Sequence, residues 1–128
     1  MLYWYQSTVM RWGSGAEWMS ANGWSVFVGN NASMNSRRFV WQLVPVALNR
    51  KVKVRRSSPQ KLYWSVNFYI CQKTNYPAVL VENFFQDYKD DVEFLFSDKG
   101  SSVSRICCWK VLRIIKRNIK EICRSLNS

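Results

Sequence analysis

The chain contains no histidine. That absence removes the imidazole that most metal sites, Ser–His and Cys–His pairs depend on. Its four cysteines, Cys71, Cys107, Cys108 and Cys123, show neither the paired spacing of a zinc knuckle nor a disulfide framework, so free thiols are expected. No glycine-rich phosphate loop is present among the five glycines, which argues against nucleotide chemistry of the P-loop or dinucleotide kind. No apolar run reaches membrane-spanning length, so no transmembrane segment is expected, and the start lacks the charged-then-apolar order of a signal peptide. A start at an internal methionine would say nothing about export. Acid is also scarce, with 8 Asp and Glu against 19 Lys and Arg.

What is present is a basic, aromatic-rich chain of 128 residues with 48% hydrophobic and 16% aromatic content. Those values exceed what a disordered chain carries, and the length suits one domain. The net charge of +11 implies attraction to polyanions, whether nucleic acid, anionic lipid or an anionic cell-wall polymer, without choosing among them. No dedicated nucleic-acid motif is present. The charge is uneven: Arg50–Arg56 and the tail from Arg105 to Arg124 are basic, whereas Glu82 to Glu93 is acidic. The first basic run reads as a solvated strand with Val52 and Val54 inward, with a phosphate-binding patch as the competing reading.

A pass along the chain predicts an α/β order. Tyr3, Trp4, Tyr5 and Trp12 crowd a segment with no helical or strand period. Trp24 to Val28, Lys51 to Arg55 and Asn67 to Gln72 read as strands, and Val79 to Val81 as the central one. Asn35 or Ser36 caps a helix running to about Leu48, weakened by Pro45. Asp87 to Phe96 fits a short helix with acid in its first turn, where the helix dipole favours it. Ser102 or Ser104 caps a final helix whose Cys108, Val111, Leu112, Ile115, Ile119 and Ile122 form one apolar stripe, a core face rather than a membrane-surface one. Strands Trp24–Val28, Asn67–Gln72 and Val79–Val81 are expected to share one sheet with the helices on both faces.

The stretch from Asn67 to Leu95 carries the chemistry. Ala78-Val79-Leu80-Val81 has no alternation, as a strand covered on both faces should. Glu82 follows directly. A carboxylate at the carboxyl end of a buried α/β strand stands where ligands and catalytic groups gather. The competing reading is a hydrogen-bonded structural group.

Pro77 to Phe85, with its Val81-Glu82-Asn83 core, closely resembles the zinc-dependent N-acetylmuramoyl-L-alanine amidases. Gly13 to Phe27, Asn67 to Ile70 and Lys89 to Leu95 match that family in order, so the similarity recurs along the chain from residue 13 to residue 95. The resemblance implies an α/β domain with a mixed sheet covered by helices, incomplete relative to the family fold. The partial domain so implied takes in residues 1–128, with 1–12 and 105–128 atypical. It also implies Glu82 as the catalytic general base, peptidoglycan as substrate and partner, and an extracellular or cell-wall location. The family holds zinc with two histidines and a glutamate. In this chain the first histidine and the glutamate would fall upstream of Met1, and the second histidine stands about where Thr8 stands, so no zinc and no other cofactor is expected.

Leu2 to Gly13 can be back-translated so that a shifted frame reads VLVSIHCNAVG, a family-like strand and histidine segment. Cys108 to Ile115 can likewise yield LEGITDY. Frame errors near both ends account for this, with ordinary divergence as the alternative. The sequence thus supports two functions: an amidase-like domain of cell-wall degradation, inactive without its ligands, or a non-enzymatic basic module binding wall polymer, anionic membrane or nucleic acid.

Overall fold

The β-branched run after Pro77 forms a strand that is buried along its whole length. In the computed structural model, which describes residues 4–105 together with 113, 117 and 124, β1 is Trp4–Met10, β2 Ser25–Gly29, β3 Trp64–Val66 and β4 Ala78–Phe85. Helix α1 is Met34–Asn49, α2 Tyr69–Gln72 and α3 Lys89–Phe96, and a further helix, α4, opens at residue 98 and continues through 105. The sheet order is β1-β4-β2-β3. β1 runs parallel to β4, β2 antiparallel to β4 and β3 parallel to β2. The sheet is therefore mixed, and the unit is a single small α/β domain.

Every residue of β4 is buried. Val79 and Val81 point to one face, where they meet Val26 and Val28 of β2, Phe39, Val40, Leu43, Val44 and Ala47 of α1, Phe94 and Leu95 of α3, and Val103 of α4. Each such side chain contributes about 1.5–3 kcal/mol when removed from water. The opposite face is thinner: Phe27, Leu80 and Cys71 pack there with Met10, Trp64 and Val66. Both α1 and α4 thus lie on one face, where the sequence predicted helices on both, and only the short α2 supplies Cys71 to the other.

Other boundaries differ from expectation for local reasons. Asn67–Gln72 is not a strand. The strand lies just before it, and Cys71 and Gln72 donate backbone hydrogen bonds to Phe68 in a single helical turn, which buries Cys71 while leaving Tyr69 exposed. Lys51–Arg55 forms no regular strand. Its only ladder contact is the bridge from Val54 to Trp24, because the chain leaves α1 through Lys51 at φ 57°; Val52 is nonetheless buried and Val54 packs on the core, as predicted. Ser33, not Asn35 or Ser36, caps α1, its Oγ accepting from Ser36 N at 3.2 Å. Ser36 is freed to tie α1 to the sheet by accepting from Ala78 N at 3.0 Å. Pro45 is accommodated inside α1 on its exposed side. Ser97 rather than Ser102 or Ser104 caps α4: its Oγ accepts from Gly100 N at 3.1 Å and its carbonyl from Ser101 N. The aperiodic N-terminal segment is a strand, because parallel pairing with β4 through its backbone needs little apolar alternation of its own. Tyr5 packs on one core and Met10 on the other, while Val9 stays exposed. The apolar stripe from Cys108 to Ile122 lies outside the described residues.

Candidate functional site

Glu82 sits inside β4, which continues to Phe85. It is 8% exposed. Strand alternation turns it to the Phe27–Leu80 face of the sheet. Two partners flank it in register, Thr8 on the parallel β1 and Ser25 on the antiparallel β2. Directly opposed residues share a face, so one carboxyl stands between two hydroxyls. Thr8 Oγ1, Ser25 Oγ and Glu82 Oε2 are all buried without a hydrogen-bond partner. Burial pushes the Glu82 pKa above the ordinary carboxylate value; the nearby Thr8 hydroxyl, although it does not reach hydrogen-bond geometry with Oε2, partly opposes that rise. A desolvated carboxyl of this kind holds its proton more readily than one in water.

Beyond Glu82 the strand changes course. Asn83 donates from Nδ2 to Ser7 Oγ and to the Thr8 carbonyl, and the β1–β4 register shifts between Thr8 and Met10. Phe84 adopts φ 70°, a left-handed conformation costly for a bulky residue, and its ring packs on Phe94 at 5.1 Å.

Two aspartates, which the sequence showed only as part of an acidic helix start, hold the surroundings together. Asp91 is buried in the first turn of α3 and accepts at Oδ2 from Gly23 N at 2.8 Å and Phe85 N at 3.0 Å. Burial raises its pKa; those two hydrogen bonds and Lys53 work against the rise, and Asp90 adds to it. Asp87 accepts at Oδ2 from Trp12 N at 2.9 Å and Gly13 N at 2.7 Å, and its carbonyl accepts from Met19 N at 2.7 Å. Arg55, from the basic run, is no free phosphate ligand. Its guanidinium lies over Phe85, Trp64 and Trp12 at 4.9, 5.5 and 5.7 Å from the ring centroids, contacts of about 0.5–2 kcal/mol each. Burial lowers its pKa and Asp91 opposes that.

The zinc implied by the sequence resemblance is not matched by this donor set. Zinc is built on thiolate, imidazole and carboxylate, whereas the neighbours of Glu82 are the hydroxyls of Thr8 and Ser25. Among the described residues no group of three His, Cys, Asp or Glu is placed to hold a metal ion. Cys71 is a free, buried thiol, its pKa pushed up by desolvation. No helix of the described residues is long and apolar enough to cross a membrane.

No protein-family model and no curated protein matches the chain. Solved structures do. An N-acetylmuramoyl-L-alanine amidase from Clostridium difficile 630 superposes with a TM-score of 0.69 at 16% identity, over 89% of this chain and 57% of that one. The catalytic domain of CwlV, an N-acetylmuramoyl-L-alanine amidase from Bacillus (Paenibacillus) polymyxa var. colistinus, gives 0.63 at 18% identity, again over 89% and 57%. The amidase AmiC2 of Nostoc punctiforme gives 0.60 at 15% identity, over 89% and 58%. The chain therefore spans a little over half the length of these structures, and over that span it has the fold of the N-acetylmuramoyl-L-alanine amidases.

Proposed function

We propose that this chain is a peptidoglycan amidase-like domain in which Glu82 keeps the position of a catalytic general base while the machinery around it has been lost. The observation that carries this reading is the pairing of Glu82 with Thr8 across β4 and β1. The family resemblance puts a zinc-binding histidine at about Thr8, so a hydroxyl stands beside the carboxyl where an imidazole would. A buried carboxyl with a raised pKa suits proton transfer. Proton transfer alone is worth roughly 10²–10⁴-fold, far below the 10⁶-fold or more that enzymes supply. Without an activated water and a polarised carbonyl, the amide between the muramoyl lactyl group and L-alanine stays intact.

The purified chain is expected neither to bind one equivalent of zinc nor to release amines from peptidoglycan. Thr8→His is expected to remain inactive, because one imidazole and one carboxylate fall short of the three ligands of a catalytic zinc site. Metal analysis alongside amine release tests this. Zinc near one equivalent, with turnover abolished by Glu82→Ala, would sink the proposal. The alternative of a non-enzymatic basic module draws on the net charge of +11, which favours wall polymers and other polyanions in general and names no residue-level site.

A further inference from the structure

The sheet ends in two different edges. In the order β1-β4-β2-β3, β3 is a strand of 3 residues with a lysine laid against it, since Lys61 Nζ donates to Ser65 Oγ at 2.8 Å. Short length and an edge lysine are devices by which folded proteins keep a sheet edge from recruiting further strands. β1 has neither. It runs for 7 residues, and the sequence from Met1 to Met10 contains no charged side chain, no proline and no glycine. Nor is β1 itself bulged: the register shift near its end sets Thr8–Met10 against Glu82–Phe85, which puts the extra residue on β4. Met10 O accepts from Gln86 N and Thr8 O from Asn83 Nδ2, so the even-numbered residues there address β4. Backbone groups alternate in direction along a strand, so Ser7 and Val9 turn theirs to the open edge, and both residues are exposed.

We infer that β1 pairs with β1 of a second copy of this chain, antiparallel about a two-fold axis normal to the sheet, giving a closed dimer with one continuous sheet. The strand is self-complementary under that operation. Outward-facing backbone groups must meet outward-facing ones, so the axis passes through a residue rather than between two. An axis at Ser7 uses the whole strand, and sets Ser7 against Ser7 and Tyr5 against Val9 of the second copy. Tyr5 and Val9 lie on the same face by alternation, and an aromatic opposite a β-branched side chain is a favourable cross-strand pair. The charge of +11 on each copy opposes association. β1 brings no charged side chain to the seam, however, and repulsion between distant surface charges is screened beyond about 8–10 Å at ordinary ionic strength. Growth stops at two copies, because the dimer presents only the short, lysine-guarded β3 at each end. The pairing involves neither Glu82 nor hydrolysis, so its failure and the failure of the amidase reading are separately observable.

Sedimentation equilibrium of the full chain is the test. A monomer–dimer equilibrium with a dissociation constant on the order of micromolar is expected, as suits an interface at the small end of the range. Val9→Lys places a cation opposite Tyr5 on each side of the seam and is expected to weaken the dimer roughly tenfold or more. Because Val9 is exposed, far-ultraviolet circular dichroism of that variant should match the parent's. Ser7→Cys reads the register independently of affinity. Directly opposed residues that exchange hydrogen bonds in antiparallel strands lie about 5.5 Å apart between Cα atoms, inside the range a disulfide spans. Mild oxidation is therefore expected to give a covalent dimer whose linked peptide, identified by mass spectrometry, joins position 7 of one copy to position 7 of the other. Val9→Cys is the control: its two copies lie roughly 13 Å apart along the seam and should not link to each other. A parent chain that stays monomeric at about 100 µM, roughly a hundredfold above the expected constant, association that Val9→Lys leaves unchanged, assemblies larger than a dimer, or a link at position 9 formed as readily as one at position 7 would each overturn the inference.

Discussion

Glu82 and Thr8 face each other across parallel strands with two buried oxygens, Glu82 Oε2 and Thr8 Oγ1, left without partners. Such an arrangement stabilises the neutral form of the carboxyl. Because burial raises the folded-state pKa of Glu82 above its unfolded value, the folded state binds the proton more tightly. Stability from this group is therefore greatest below the unfolded pKa of about 4.3, falls as pH rises toward the raised folded value, and is flat above it. Glu82→Gln should flatten that part of the pH profile and stabilise the chain at pH 7 by about 1 kcal/mol, the scale of an unpaired buried polar group. Urea unfolding between pH 4 and pH 8 measures both; a destabilised Glu82→Gln at pH 7 would contradict the expectation.

Asp91 joins three separate pieces of chain through one oxygen, accepting from Gly23 N and Phe85 N. Its removal leaves both donors buried and unsatisfied. Asp91→Ala is expected to cost about 2–4 kcal/mol, and Asp91→Asn, which keeps an acceptor, roughly half of that. Equilibrium denaturation of the two variants gives the comparison, and equal losses would mean that the hydrogen bonds are not the cause.

Phe84 sets a conformational cost against a packing gain. Its φ of 70° costs a non-glycine residue about 1–2 kcal/mol, while its buried ring against Phe94 is worth about 3–5 kcal/mol when deleted. Packing wins on these magnitudes. Phe84→Gly should therefore destabilise by about 2–3 kcal/mol in thermal or urea unfolding, less than an ordinary buried phenylalanine deletion. A neutral outcome would show that relief of backbone strain fully offsets the lost packing.

The coding sequence supplies a test independent of the protein. Codons for Leu2 to Gly13 are expected to read, out of frame, as VLVSIHCNAVG, with histidine overlapping the codons for Ser7 and Thr8. Stops or unrelated residues in that frame would leave ordinary divergence as the explanation of Thr8.

The apolar run Ala78–Val81, the helix preceding Asn49 and the acidic start of α3 were legible in the sequence because each is a local pattern: unbroken β-branching, helical spacing, and charge matched to a dipole. Their order also carried the likeness to the amidases, which the fold now shares over most of the chain. Other features were settled only by long-range packing. Trp4–Met10 has no strand period, yet becomes β1 because β4 offers it a parallel backbone ladder. Asn67–Gln72 reads as a strand in sequence, yet Tyr69–Gln72 turns into a helix because one turn buries Cys71. Arg55, part of a basic run that reads in sequence as a solvated strand, is instead covered by three aromatic rings from distant segments. Asp87 and Asp91 were visible as negative charges only; that they serve the backbone donors of Trp12, Gly13 and Gly23, 68 to 75 residues away in the chain, depends on the meeting of the β4–α3 turn with loops that no local pattern relates to it. Sequence alone thus determined the central strand and its carboxylate, and tertiary structure decided what stands opposite them, because hydrogen-bond partners are chosen by proximity in space rather than along the chain.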